Sequence, residues 1–139
     1  MDDVIVNKVA IVTRCLARIA EVYAAGGPGF RTDLTRQDSV ILNLQRAVEA
    51  TIDLAMVLVR RRRLGVPQSS RDAFRLLAEA GAITEGDATA LQRMVGFRNI
   101  AVHDYQRLNM AVVEAVLDER LGDLRSFTEV ALRELDGSA

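Results

Sequence analysis

The residues most capable of chemistry lie in one short segment, residues 97–105, which holds the only histidine of the chain, His103. Arg98 stands five positions before this histidine, and Tyr105 stands two positions after it. A histidine can exchange a proton near neutral pH, and a guanidinium can hold a phosphate and stabilise the added charge of a pentacoordinate transition state. Together these groups would suffice for attack of a ribose 2′-hydroxyl on its own phosphate, a reaction that RNA permits and DNA does not.

The same segment is a poor metal site, because a lone histidine without a second histidine or a cysteine pair gives no ligand cluster. We therefore expect neither a metal nor a cofactor. Positions five apart on a continuous helix point about 140° apart, whereas positions seven apart nearly align. Arg98 and His103 can thus share one phosphate only if the helix breaks near Ala101–Val102 or if a second subunit completes the site. A two-fold dimer that joins two such segments would form one composite cleft.

The elements that must position this segment are helical by pattern, because apolar residues recur at steps of three and four along most of the chain. This periodicity predicts helices over about 3–24, 33–64, 70–80, 85–98 and 109–135. N-caps are expected at Asp33 or Thr35, at Ser69 or Ser70, at Thr84 and at Asn109, and Gly26 to Gly29 should break the chain after the first helix. No strand pattern or repeat appears, so the sequence predicts an all-α, up-and-down bundle of about five helices, with residues 1–139 as one domain.

Composition narrows the class of protein. Half of the residues are hydrophobic and the net charge is −1, which argues against disorder and against a general polyanion binder. One cysteine, no signal-like start and no long apolar run together predict a cytoplasmic protein that does not enter a membrane.

The second helix is long enough to be the spine of the bundle or a dimer face. The run Arg60–Arg63 at its end could be a solvated terminus that complements the helix dipole, or a contact for RNA or a protein partner.

The segment 94–105 looks like the R-x4-H-x-Y signature of HepT toxins, a branch of the HEPN superfamily, and Asn99 matches the polar residue that commonly follows the arginine. The resemblance extends upstream: residues 38–49 are similar to the family's second helix and residues 66–74 to the start of its third. Most of the chain is covered, and the arginine–histidine–tyrosine motif is the specific part.

This resemblance implies a HEPN-like homodimer that acts as the endoribonuclease toxin of a type VII toxin–antitoxin system. Its partner would be an MntA-type nucleotidyltransferase antitoxin that neutralises it by transferring AMP to Tyr105, and the homodimer could form a higher hetero-oligomer with this antitoxin. The match makes Arg98 the phosphate clamp, His103 the acid–base residue and Asn99 the residue that orients them. Two positions of the second helix also match and are possible supporting residues, Asn43 and Glu49.

Two other classes of function stay open at this stage. The chain could be a non-catalytic HEPN-type module that holds a nucleotide or a protein partner, or a helical dimerisation unit whose apolar seams are its whole purpose. The pairing of Arg98 with His103 favours the enzyme, because a pure binder has no need of the histidine.

Overall fold

Six α-helices and two short 3-10 helices make up the part of the chain that the computed structural model describes, residues 2–25 and 27–136. No strand occurs in these ranges, so the predicted all-α class is confirmed. Gly26, part of the predicted break, lies outside the described residues. In chain order the elements are α1 (Asp2–Ala25), a 3-10 helix (Gly27–Thr32), α2 (Leu34–Arg61), α3 (Ser70–Glu79), α4 (Glu85–His103), a 3-10 helix (Tyr105–Arg107), α5 (Met110–Glu119) and α6 (Leu121–Leu135).

Helix α2 is the spine of the bundle, because it packs against α1, α3, α4 and α6. Burial of an aliphatic side chain contributes about 1.5–3 kcal/mol, so its stripe of buried residues is a large share of the core energy. The apolar residues that recur at helical spacing along α2 are buried: Val40, Ile41, Leu44, Val48, Ile52, Ala55 and Leu58. One face of α2 is thereby fixed against the core, and the polar residues on its other face are presented in a defined register.

Helix α2 begins where its N-cap predicts and ends earlier than the pattern predicts. The Asp33 side chain accepts a hydrogen bond from the Arg36 backbone N–H at 3.1 Å. The predicted end at about Leu64 was wrong by three residues, because α2 ends at Arg61. Arg63 has a φ of +56°, in the left-handed region that non-glycine residues rarely occupy. A regular helix cannot pass through that conformation.

Two arginines at the end of α2 connect this helix to the end of α6. Arg62 forms a 2.5 Å ion pair with Glu134, whose carboxylate is otherwise buried. Arg61 donates a hydrogen bond to the Glu134 carbonyl oxygen at 3.4 Å. A buried carboxylate needs such a partner, since its charge is costly to remove from water. Only Arg60 and Arg63 of the run are exposed.

The last predicted helix is two helices, which corrects its single span over 109–135. Asn109 caps α5 as expected, accepting from the Ala111 N–H at 2.8 Å, but the helix breaks at Arg120. Helix α5 leans towards the end of α1, where the Tyr23 hydroxyl donates to Asp118 at 3.1 Å. Helix α6 instead packs along α1 and α2. One straight helix could not make both sets of contacts. None of the helices in the described ranges has the length and apolar character needed to cross a membrane.

Candidate active site

Helix α4 carries the motif and runs without interruption through His103. It starts at the predicted N-cap Thr84, whose hydroxyl accepts from the Asp87 N–H at 3.0 Å as part of a capping box. The predicted end near Arg98, and the alternative break near Ala101–Val102, are both wrong. Ala101 is buried in the core, and this packing holds the last turn of the helix in place. Because the helix is continuous, Arg98 and His103 leave it about 140° apart and about 7.5 Å apart along its axis.

Arg98 is held by Glu49 of α2. Its Nη1 group donates to the Glu49 carboxylate in an ion pair, and only 19% of the Arg98 side chain is exposed. The Arg98 Nε group is buried and has no hydrogen-bond partner among the described residues. A guanidinium carries five N–H donors in a rigid fork. Glu49 therefore fixes the orientation of that fork while leaving several donors uncommitted.

His103 is the last residue of α4 and its side chain is exposed. The imidazole makes no hydrogen bond or ion pair with any residue in the described ranges, so both ring nitrogens are available to a substrate. Asn99 is half-buried beside Arg98, and within the same ranges its amide also has no hydrogen-bond partner. The structure thus places Asn99 next to the clamp without showing a bond between them.

Tyr105 is the first residue of the 3-10 helix that follows α4. Because it is not on the same α-helix as Arg98, the expectation that positions seven apart align on one face does not hold for this pair. Its hydroxyl donates a hydrogen bond to the carboxylate of Asp38, near the start of α2. Burial raises the pKa of the Tyr105 phenol to about 12, with the hydrogen bond to Asp38 and the negative charge of that carboxylate adding to the effect. Asp38 was not among the predicted site residues, and it lies 67 residues away from Tyr105 in the chain. Only its presence in the segment that resembles the family's second helix pointed towards it.

Asn43 is not brought to the motif. Its amide donates to the Ser39 carbonyl oxygen at 2.8 Å, one turn back on the same helix. It lines a groove of about 660 Å³ between α1 and α2, which it shares with Glu49. Of the two supporting residues that the sequence suggested, the structure therefore joins Glu49 to Arg98 and leaves Asn43 on the neighbouring face.

Two polar contacts thus tie the end of α4 to α2, Arg98 with Glu49 and Tyr105 with Asp38, and His103 is exposed between them along the chain. This arrangement provides a guanidinium that is held in one orientation and an imidazole that is free to exchange a proton with a substrate. Ideal helix geometry directs Arg98 and His103 to different sides of α4, which disfavours a site that holds one phosphate between them within a single chain. Across residues 2–25 and 27–136, no three histidine, cysteine, aspartate or glutamate side chains are grouped in a way that could hold a metal ion.

Comparisons with known proteins show which proteins this chain is similar to. The family model described as Ribonuclease HepT-like matches residues 12–131. The mRNA nuclease HepT of Shewanella oneidensis is 51% identical over 134 residues, which are 96% of this chain and 100% of that protein. A putative RNase of Archaeoglobus fulgidus is 30% identical over 102 residues, 73% of this chain and 74% of that protein. The solved structure of a tri-AMPylated Shewanella oneidensis HEPN toxin in complex with an MNT antitoxin superposes with a TM-score of 0.88 at 52% identity, covering 94% of this chain and 97% of that one.

Proposed function

Because the chain belongs to the HepT-like ribonuclease family, we propose that it is a toxin endoribonuclease that cuts RNA without a metal, with the whole chain as one HEPN unit. The observation that carries this proposal is the end of α4, where Glu49 orients Arg98 and the exposed imidazole of His103 bonds to none of the described residues. Charge stabilisation and proton transfer are the two needs of RNA self-cleavage. Both groups are present on one rigid helix.

In this mechanism the ribose 2′-hydroxyl attacks the adjacent phosphorus. A bond forms between the 2′-oxygen and phosphorus, and the bond from phosphorus to the 5′-oxygen breaks. A histidine takes the proton of the 2′-hydroxyl and a histidine returns one to the leaving 5′-oxygen. Arg98 binds the non-bridging phosphate oxygens, and Asn99 orients the arginine. The products are a 2′,3′-cyclic phosphate and a 5′-hydroxyl.

The active form is proposed to be a two-fold dimer that joins two motifs in one cleft. The support is geometric: Arg98 and His103 point about 140° apart on one helix, so a clamp and a proton carrier meet most easily across two chains. Mixing the Arg98→Ala and His103→Ala proteins tests this arrangement. If subunits exchange, heterodimers with one intact site should regain cleavage that neither variant has alone. Two catalytic segments on opposite outer faces of the dimer would contradict the shared cleft.

Substitution of the two motif residues tests the chemistry. We expect His103→Ala and Arg98→Ala each to lower the rate of RNA cleavage by about 10²–10⁴-fold, because each removes a group that acts in the transition state. Arg107→Ala is the matched control, since this exposed arginine lies in the following 3-10 helix and pairs only with Asp104 in the described part of the chain. Circular dichroism shows whether each protein is folded. A folded His103→Ala protein that cuts RNA at the wild-type rate would overturn the mechanism.

We further propose that the chain is neutralised by a cognate MNT-type nucleotidyltransferase antitoxin that transfers AMP to Tyr105. The solved relative is a tri-AMPylated toxin in complex with such an antitoxin, and the Tyr105 side chain is 41% exposed here. An added phosphodiester would bring negative charge close to the Arg98 site and compete with the RNA phosphate. Intact-mass spectrometry of the protein purified with and without its partner should show additions of AMP that Tyr105→Phe abolishes. Additions that persist in Tyr105→Phe would remove this tyrosine from the role.

A further inference from the structure

The hydrogen bond between Tyr105 and Asp38 has no part in RNA cleavage as derived above. It joins the segment after α4 to the first turns of α2, across 67 residues of chain. Both side chains are exposed enough to be reached from outside the protein. The hydrogen bond therefore involves the Tyr105 hydroxyl, the group that the proposed modification uses. It lies on a surface that an enzyme acting on Tyr105 has to approach.

A phenol is a poor nucleophile until it loses its proton, and Tyr105 holds its proton tightly. Its pKa of about 12 means that about one molecule in 10⁵ carries the phenolate at pH 7. Nucleotidyl transfer to this oxygen consequently requires a group that takes the proton as the new bond forms. The group already hydrogen-bonded to the hydroxyl proton is the carboxylate of Asp38.

We propose that Asp38 is the general base for nucleotidyl transfer to Tyr105, so that this chain supplies part of the chemistry of its own modification. The proposal rests on the proposed function, in which a partner enzyme brings a nucleoside triphosphate to Tyr105. The Tyr105 Oη atom attacks the α-phosphorus and forms an oxygen–phosphorus bond. The bond to the β-phosphate oxygen breaks, and pyrophosphate leaves with the electron pair. The phenolic proton passes to the Asp38 carboxylate and from there to water.

The same geometry limits Asp38 to the first transfer. After modification Oη has no proton to donate, and the phosphodiester places a negative charge against the Asp38 carboxylate. The hydrogen bond is lost and like charges repel, so the modified tyrosine leaves α2. Any later AMP would be added to a nucleotide hydroxyl that Asp38 does not bind. We therefore expect Asp38 to govern the rate of the first addition.

Asp38→Asn isolates proton transfer from positioning, because the amide oxygen of asparagine can still accept the tyrosine hydrogen bond but cannot take the proton. Purified protein is mixed with its cognate nucleotidyltransferase, ATP and Mg²⁺, and each AMP addition is followed by intact mass. We expect the first addition to be slowed by about 10²-fold or more. Asp38→Glu should recover part of the rate. The matched control is Asp53→Asn, the same change on the same helix at a residue that pairs with Lys8 at 2.8 Å.

The pH profile is a readout that a purely structural role would not move. Without an internal base the reaction depends on the phenolate, so the Asp38→Asn rate should rise about tenfold per pH unit below the phenol's pKa. The wild-type rate should rise much less steeply. The Asp38→Asn protein should also keep wild-type RNA cleavage, since Asp38 does not contact Arg98 or His103.

The possible results distinguish a failure of the Asp38 proposal from a failure of the proposed function on which it rests. Wild-type protein that never receives AMP would overturn both the neutralisation proposal and the role of Asp38. Normal AMP transfer to wild type together with an equal rate for Asp38→Asn would overturn only the role of Asp38. Loss of RNA cleavage in a folded Asp38→Asn protein would also contradict the inference, because it would place this carboxylate in the nuclease site.

Discussion

Replacing Glu49 by alanine tests how the structure prepares Arg98 for catalysis. The Glu49 carboxylate is the only described partner of the Arg98 guanidinium, whose Nε group is buried and unpaired. Without Glu49 the side chain can adopt other orientations, and the fraction of time that it faces a phosphate falls. The fold should persist, because Glu49 is on the surface of α2 and 45% of its side chain is exposed.

The size of the effect follows from the strength of that one contact. A hydrogen bond between charged groups contributes about 1.5–3 kcal/mol, and the partial exposure of Glu49 places this pair at the lower end. About 1.4 kcal/mol corresponds to a factor of ten in rate. We therefore expect Glu49→Ala to lower kcat for RNA cleavage about tenfold. KM should stay equal or fall, because a negative charge near the phosphate site is removed.

Initial rates on a fluorescent RNA substrate measure both constants. Glu79→Ala is the matched control, since Glu79 also pairs with an arginine, Arg75, and has a similarly exposed side chain, 56% against 45%. A double-mutant cycle adds a second criterion: Glu49→Ala should cost nothing further in an Arg98→Ala background. A folded Glu49→Ala enzyme with wild-type or higher kcat would refute the reasoning, as would full additivity in the cycle.

Three other perturbations test the described contacts. Arg62→Ala should lower the free energy of unfolding by about 2–3 kcal/mol in urea titration, because it leaves the carboxylate of Glu134 buried and unpaired. An unchanged urea midpoint would show that this ion pair does not stabilise the fold. Arg63→Gly should raise that free energy by about 0.5–1 kcal/mol, since glycine adopts the φ of +56° without strain. Asp38→Asn should lower the pKa of the Tyr105 phenol from about 12, as seen in the tyrosinate absorbance at alkaline pH. The raised pKa means that the folded state favours the protonated Tyr105 phenol. The stability that this group contributes is complete below pH 10, about the pKa of the phenol in the unfolded state, and is lost as pH rises through about 12.

The parts of the fold that could be predicted are those that depend on local sequence. The N-caps Asp33 and Ser69 and the capping box at Thr84 bond to backbone within three residues, so short patterns reveal them. The apolar stripe of α2 follows from helical periodicity. The break at Arg120 was missed because its cause is tertiary. Asp118 of α5 accepts a hydrogen bond from Tyr23 near the end of α1, whereas α6 packs against α1 and α2. The apolar periodicity continues through the junction and does not indicate a break.

The candidate site divides in the same way. Arg98, His103 and Tyr105 are close in sequence, so their types and spacing were enough to select them. The length of α4 was underestimated because burial of Ala101, a long-range effect, holds its last turn. Asp38 was missed because its contact with Tyr105 spans 67 residues, and its place in the segment that resembles the family's second helix was the only sign of it in the sequence.

Metal-independent attack by the ribose 2′-hydroxyl at the Arg98–His103 site is tested most directly by the chemistry of the cut ends. The cleavage position is first mapped on an RNA oligonucleotide in the presence of EDTA, and the same oligonucleotide is then made with a single 2′-deoxyribose at that position. The expected result is cleavage of the first substrate to 2′,3′-cyclic phosphate and 5′-hydroxyl ends, and no cleavage at the deoxy position. Cleavage that EDTA abolishes, 3′-hydroxyl ends, or an unchanged rate at the 2′-deoxyribose would contradict the mechanism.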